Sequence, residues 1–201
     1  MRLGIMGGTF DPVHIGHMQI ARSAIQEAGL DHVLFLPDGD PPHKTPYASG
    51  TDRLMMLRLA IDGEPAFSVS DMELNRPGRT YTVDTLLELK REDPASELFY
   101  IIGSDTLYQF PAWKTAQQVA QLCKMLVVLR PGRFLEDVRQ EQRRLFAEFG
   151  LCSLLLSQTG PDISSSRVRQ AVGKGEDIRS LMPSRVFGYI IEKNLYRPKT
   201  I

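Results

Sequence analysis

Short apolar runs alternate with helical patterns along the whole chain, and that alternation leaves few folds open. Residues 3–6, 33–36, 67–70, 98–102, 125–129 and 153–156 each have the length and composition of a strand. Helical periodicity fills the intervals near 15–28, 52–62, 82–92, 115–121 and 135–149. In the last of these, Leu135, Val138, Leu145 and Phe149 share a face before Gly150. Ile101-Ile102 and Val127-Val128-Leu129 are continuous rather than alternating, as strands covered on both faces require. The pattern predicts an α/β fold, a doubly wound Rossmann-like parallel sheet with helices on both faces. Such sheets bind ligands beyond the carboxyl ends of their strands, where the strand order reverses. A helix over 183–196 closes the chain, so residues from about 160 to 201 read as a small helical extension of one domain spanning 1–201.

Directly after the first apolar run the sequence reads Gly7-Gly8-Thr9-Phe10-Asp11-Pro12-Val13-His14-Ile15-Gly16-His17. Two glycines let the main chain turn and approach a ligand closely, and Pro12 stiffens the loop. Met18, Ala21, Ile25 and Ala28 then keep helical spacing up to Gly29, which is placed to stop the helix. A helix start offers unpaired N–H groups and the positive end of its dipole, both suited to a polyphosphate. His14 and His17, three apart at that start, can face the same side. Imidazoles there can donate to phosphate oxygens and gain charge as negative charge builds in a transition state. A plain turn at Gly7-Gly8 and half of a zinc site at the histidines are the competing readings. His32 and His43 lack ligand spacing and Cys123 and Cys152 stand far apart, so no metal site is expected. The segment is neither G-x-G-x-x-G nor the Walker pattern, and implies neither of those chemistries.

A second cluster, Ile163-Ser164-Ser165-Ser166-Arg167-Val168-Arg169, precedes another helical stretch. Its serines can cap that helix or bond phosphate oxygens, with Arg169 adding a forked cation one turn in. Paired with the histidines, it lets two helix starts grip one triphosphate from different sides. Two irregular stretches, 37–50 with Lys44 and 71–81 with Arg76 and Arg79, are longer than plain connectors need.

Bulk properties narrow the partners. The 201 residues are 42% hydrophobic, and Lys plus Arg equals Asp plus Glu at 24 each; a core can form, and no basic field invites nucleic acid. Two cysteines without C-x-x-C fit a reducing, cytoplasmic setting. No apolar run approaches the roughly 20 residues that span a bilayer, so no membrane partner is expected.

The pair G-x-F-D-P-x-H-x-G-H and I-S-S-S-x-x-R resembles the nucleotidyltransferase superfamily with the HxGH signature. Over its full length the chain is similar to the bacterial nicotinate-nucleotide adenylyltransferase family. Further matches are Pro41-Pro42-His43-Lys44, Arg79-Thr80-Tyr81-Thr82, Gly103-Ser104-Asp105 with Trp113, Leu181-Met182-Pro183 and Leu195-Tyr196. Ser166 stands where threonine is common and Val168 where isoleucine is. The resemblance implies transfer of AMP from ATP to nicotinate mononucleotide, giving nicotinate adenine dinucleotide and pyrophosphate without a protein nucleophile. It implies ATP contacts from Gly7, Gly8, Thr9, Phe10, His14, His17, Ile163, Ser164, Ser165, Ser166 and Arg169. Of these His14, His17 and Arg169 would be catalytic, with His17 nearest the α-phosphate. It implies a mononucleotide site with Thr82, Asp105 and Trp113, and Lys44 closing over phosphates. Trp113 would stack on the pyridine or belong to the core; Asp105 would bond the ribose or cap a helix; Lys44 would otherwise be a surface charge. Mg²⁺ would be bound mainly through ATP. A pantetheine-phosphate adenylyltransferase or another nucleotidyltransferase of this fold is the alternative enzyme, a non-catalytic nucleotide-binding module the alternative class. Nothing opposes a homo-oligomer.

Overall fold

The computed structural model describes residues 1–39, 45–157 and 162–197. Six strands form one sheet: β1 Arg2–Gly8, β2 His32–Pro37, β3 Phe67–Val69, β4 Glu97–Gly103, β5 Lys124–Val128 and β6 Ser153–Leu156. Their order is β3-β2-β1-β4-β5-β6, and every neighbouring pair runs parallel. Parallel neighbours need crossovers, supplied mainly by α1 Ile15–Ala28, α2 Gly50–Ala60, α3 Thr82–Glu92, α5 Ala116–Leu122 and α6 Leu135–Phe149. The short α4 Ser104–Gln109 extends the link after β4, and α7 Ser165–Lys174 and α8 Ser184–Glu192 complete the chain. The doubly wound parallel sheet read from the sequence is the observed fold.

Side-chain alternation explains why the central runs are apolar throughout. Ile101 and Val128 point into one core, with Met18, Met56, Val168 and Val186 from α1, α2, α7 and α8. Their neighbours Ile102 and Val127 point into the other, with Leu86, Val119 and Leu145 from α3, α5 and α6. Successive strand residues face opposite sides, so a sheet covered twice has no polar register. Gly29 (φ 60°) and Gly150 (φ 70°) end α1 and α6 in the left-handed region, the conformation glycine adopts without a Cβ clash.

Sheet order reverses between β1 and β4, which places their carboxyl ends on either side of a crevice. On the β1–β2 side that edge is tied by Arg53 of α2, only 2% exposed. Its guanidinium donates to the carbonyls of Thr9 and Asp38, each at 2.9 Å, while its Nε is buried without a partner among the described residues. Thr9 Oγ1 donates to Asp38 Oδ2 at 3.1 Å, and the Asp38 N–H to Gly8 O at 3.0 Å. The loops leaving β1 and β2 are therefore fixed to each other before any ligand arrives.

Several element ends differ from the sequence reading by a residue or two, and three differences have a physical cause. The second helix starts at Gly50 rather than 52, because Ser49 Oγ accepts the Asp52 N–H and caps it there. The closing helix stops at Glu192 rather than 196: Asn194 (φ 51°) and Tyr196 (φ 64°) turn the chain back. Helix α4 was not anticipated, since six residues ending near Pro111 show too little periodicity to read. No helix among the described residues is long and apolar enough to cross a membrane.

Leu126 is wholly buried between β4 and β6. Its replacement by alanine should cost about 2–5 kcal/mol, read as a lower urea midpoint at unchanged slope. Phe134→Ala, at a side chain 76% exposed, should move stability by less than about 0.5 kcal/mol.

Candidate active site

A cavity of about 720 Å³ opens over the crevice and is lined by residues 7–11, His14, His17, residues 163–166 and Arg169. Of the residues proposed from sequence for ATP, all line it. Gly7 has a steric reason as well: a Cβ there would stand 2.3 Å from the Tyr100 hydroxyl oxygen, so the position has no room for a side chain. Phe10 (φ 48°) turns the loop and sets its ring edge-on to His17 at 5.0 Å.

The histidines form one stacked pair, with ring centroids 3.8 Å apart at 29°. His14 is the residue before α1, and its backbone N–H donates to His17 Nδ1 at 3.2 Å. An accepting Nδ1 requires that a neutral His17 carry its proton on Nε2. The helix start thus sets the tautomer and leaves Nε2–H as the donor. Burial, then the positive charge of Arg130, lowers His14 to about 4. Burial, His14 and Arg130 together hold His17 well below its ordinary value. Both rings are therefore neutral donors in the free protein.

The serine cluster meets the histidine loop directly. Ser165 Oγ donates to Pro12 O at 2.9 Å, and Arg169 Nη1 to Asp11 O at 2.5 Å, across 153 and 158 residues of chain. Arg169 Nη2 donates to Ser166 Oγ at 3.1 Å, and its guanidinium lies 4.5 Å from the Tyr47 ring centre. Ser164 takes the capping role, its Oγ accepting the Arg167 N–H at 3.2 Å. The Ser164 hydroxyl and the Ser165 proton thus serve the protein itself in this state. Two helix starts, α1 and α7, line one cavity.

On the other wall, Thr82 begins α3, and its side chain pairs with the Tyr100 hydroxyl. Trp113 packs edge-on to Tyr100 at 5.8 Å and tilted on Phe110 at 5.6 Å while keeping a face of the cavity. Trp113 is both a partner of the core and a lining residue. Asp105 is placed elsewhere: it sits on the outer side of α4, bonded to Arg133 Nε at 2.8 Å, and Thr106 lines the cavity next to it. It neither lines the cavity nor caps α4 from the residue before the helix. Arg79 is exposed and away from the lining. Lys44 lies outside the described residues.

Arg130 escaped the sequence reading. It follows β5, lines the cavity and bears electrostatically on both histidines. Gly103 makes space for it, since a Cβ there would stand 2.8 Å from Arg130 Nε; Ser104 Oγ accepts its N–H at 3.1 Å. The signal was present as an arginine between a buried apolar run and Pro131-Gly132, where a strand delivers its next side chain to the ligand edge. Asp38, Tyr47 and Tyr100 were also not foreseen as lining residues.

Residues 5–171 match the model of the Cytidylyltransferase-like family. A relative from Synechococcus sp. (strain JA-3-3Ab), named "Probable nicotinate-nucleotide adenylyltransferase", is 41% identical over 97% of this chain and 94% of its own. One of the same name from Dehalococcoides mccartyi (strain ATCC BAA-2266 / KCTC 15142 / 195) is 39% identical over 98% and 97%. Among solved structures, Plasmodium falciparum nicotinic acid mononucleotide adenylyltransferase complexed with NaAD superposes with a TM-score of 0.80 at 19% identity, covering 97% of both chains; at that identity it speaks for the fold. Full-length identity near two-fifths, on the sheet and crevice described above, makes this chain a member of the nicotinate-nucleotide adenylyltransferases within the Cytidylyltransferase-like family.

Proposed function

We propose that this protein transfers the AMP of ATP to nicotinate mononucleotide, giving nicotinate adenine dinucleotide and pyrophosphate, in NAD biosynthesis. The observation that carries the reading is the joining of two helix starts around one cavity by the Ser165–Pro12 and Arg169–Asp11 bonds. The relatives named above and the NaAD complex of the Plasmodium protein support the choice of acceptor.

The chemistry asks little of the protein beyond placement and charge. An oxygen of the acceptor's 5′-phosphate is ionised at neutral pH and attacks the α-phosphorus of ATP. The new P–O bond forms as the bond to the bridging α–β oxygen breaks, and its electron pair leaves on pyrophosphate. No general base is needed. His17 Nε2–H faces the α-phosphate and His14 flanks it; both strengthen their bonds as charge grows on the phosphoryl oxygens. Arg169, with Ser166, holds the departing β- and γ-phosphates by its fork. Arg130 adds a positive charge to the same cavity, beside both histidines. Trp113 stacks on the pyridine and Thr82 presents the start of α3 to the acceptor.

Among the described residues no group of three or more His, Cys, Asp or Glu side chains is gathered to hold a metal ion. Mg²⁺ would be held mainly through ATP, and when bound it would neutralise charge on the leaving pyrophosphate.

Pyrophosphate release from ATP and Mg²⁺ should require nicotinate mononucleotide; release with phosphopantetheine alone would overturn the reading. His17→Ala should lower kcat about 100- to 1000-fold, as loss of a preorganised donor does, with the acceptor KM nearly unchanged. Trp113→Ala should do the reverse, raising the acceptor KM by about tenfold for a lost aromatic stack and its buried area.

The depressed His14 also sets a pH dependence. Between 6.5 and about 4 the unfolded chain holds a proton at this residue that the folded chain refuses, so stability falls as pH drops through that window. Melting temperatures of the free protein and of His14→Gln, compared from pH 7 to pH 4, should differ in slope: the unaltered protein loses more, or gains less, than the variant as the pH falls. Bound ATP should flatten the slope too, because its negative charge offsets the cost of charging the ring.

A further inference from the structure

The last described turn of the chain reaches back to the loop after β1, a contact that the reaction derived above does not use. Tyr196 donates its hydroxyl to Asp11 Oδ1 at 2.7 Å, 185 residues away in sequence. Asp11 is 3% exposed, and its carboxylate takes two more donors: the N–H of Tyr47 at 2.7 Å and that of Ala48 at 3.1 Å. Through Asp11 the tail meets Arg169 twice. The Asp11 carbonyl accepts Arg169 Nη1 at 2.5 Å, and the Tyr47 ring, whose backbone Asp11 fixes, stands 4.5 Å from the guanidinium. The tail's main chain keeps the same company: a Cβ at Gly173, one turn beyond Arg169 on α7, would be 3.8 Å from the Tyr196 carbonyl oxygen.

An arginine loses rotamer freedom worth up to about 2 kcal/mol when it is ordered. Arg169 is already held by Asp11, Ser166 and Tyr47, so that loss falls on folding instead of on nucleotide binding. The Asp11 carboxylate is buried with three donors, and losing the Tyr196 hydroxyl leaves Oδ1 with the Ala48 N–H alone among the described residues, which loosens the loop that carries the Asp11 carbonyl. Burial and the Asp11 carboxylate push the Tyr196 phenol far above its ordinary value, so it remains a donor at every working pH.

We propose that Tyr196 is a positioning residue of the nucleotide site: by anchoring Asp11, and through it Tyr47, it holds Arg169 ready for the phosphates of ATP. This rests on the reading of Arg169 as a phosphate cation.

The test is steady-state kinetics of Tyr196→Phe, Arg169→Met and their double, each checked by melting temperature. Tyr196→Phe should raise the ATP KM about five- to tenfold, the greater part of the Arg169 ordering loss being returned to nucleotide binding, and leave the acceptor KM within about twofold. In the Arg169→Met background it should add nothing, since residues acting through one group are not additive. Effects that multiply in the double variant, equal loss for both substrates, or an unchanged ATP KM would each overturn the proposal. Should Tyr196→Phe fold poorly, Tyr196→His and its double with Arg169→Met decide by the same criteria, because the change again removes the phenol that meets Asp11. An ATP KM indifferent to Arg169→Met would instead sink the reading of Arg169, and the proposal with it.

Discussion

Asp11 and Pro12 present carbonyl oxygens in a loop where neither helix nor strand can use them, and buried carbonyls must find donors. Ser165 and Arg169 supply those donors from α7. The two bonds do more than satisfy a loop. They set the distance between two helix starts that no covalent connection or strand ladder fixes, and so define the width of the cavity. The sheet provides the crevice at its point of reversal; this cross-link gives the crevice its walls.

Charge in the site is arranged to stay poised. Arg130 and the surrounding protein keep both imidazoles neutral, so the free enzyme does not crowd unneutralised cations together. Arg53 lies deeper, with Asp38 and Asp11 offsetting its charge. A polyanion entering such a site finds fixed donors and one-sided positive potential without waiting for side chains to reorganise, which is where most catalytic benefit of electrostatics lies. A polyanion bound there would shift the histidines toward protonation, so their affinity for charge would grow as charge arrives.

Much of this was legible in the residues. Continuous runs such as Val127-Val128 could only be strands covered twice, and the two cores bear that out. The loop that lines the cavity could be singled out because glycines, a proline and two histidines stood in one short segment. What stayed hidden was long-range. Asp105 matched a motif, yet its carboxylate turns outward to Arg133, a choice made by a partner 28 residues away. Arg130 carries no local pattern of its own; its place follows from strand order and from the space left at Gly103. The neutrality of the histidines depends on burial and on that arginine, neither of which is visible in spacing. The end of α8 was missed because Tyr196 is drawn to Asp11, a tertiary pull that overrides helical propensity.

The contact between Gly7 and the Tyr100 hydroxyl has an evolutionary corollary. Two neighbouring strands share one parcel of volume at the rim of the crevice, and whichever residue claims it excludes the other. A larger side chain at position 7 becomes admissible only if position 100 shrinks, and the aromatic edge beneath Trp113 would vanish in the same exchange. Drift at these sites should therefore come in coupled steps, each redrawing the Trp113 wall of the cavity while the wall of His14, His17 and Arg169 stands unchanged.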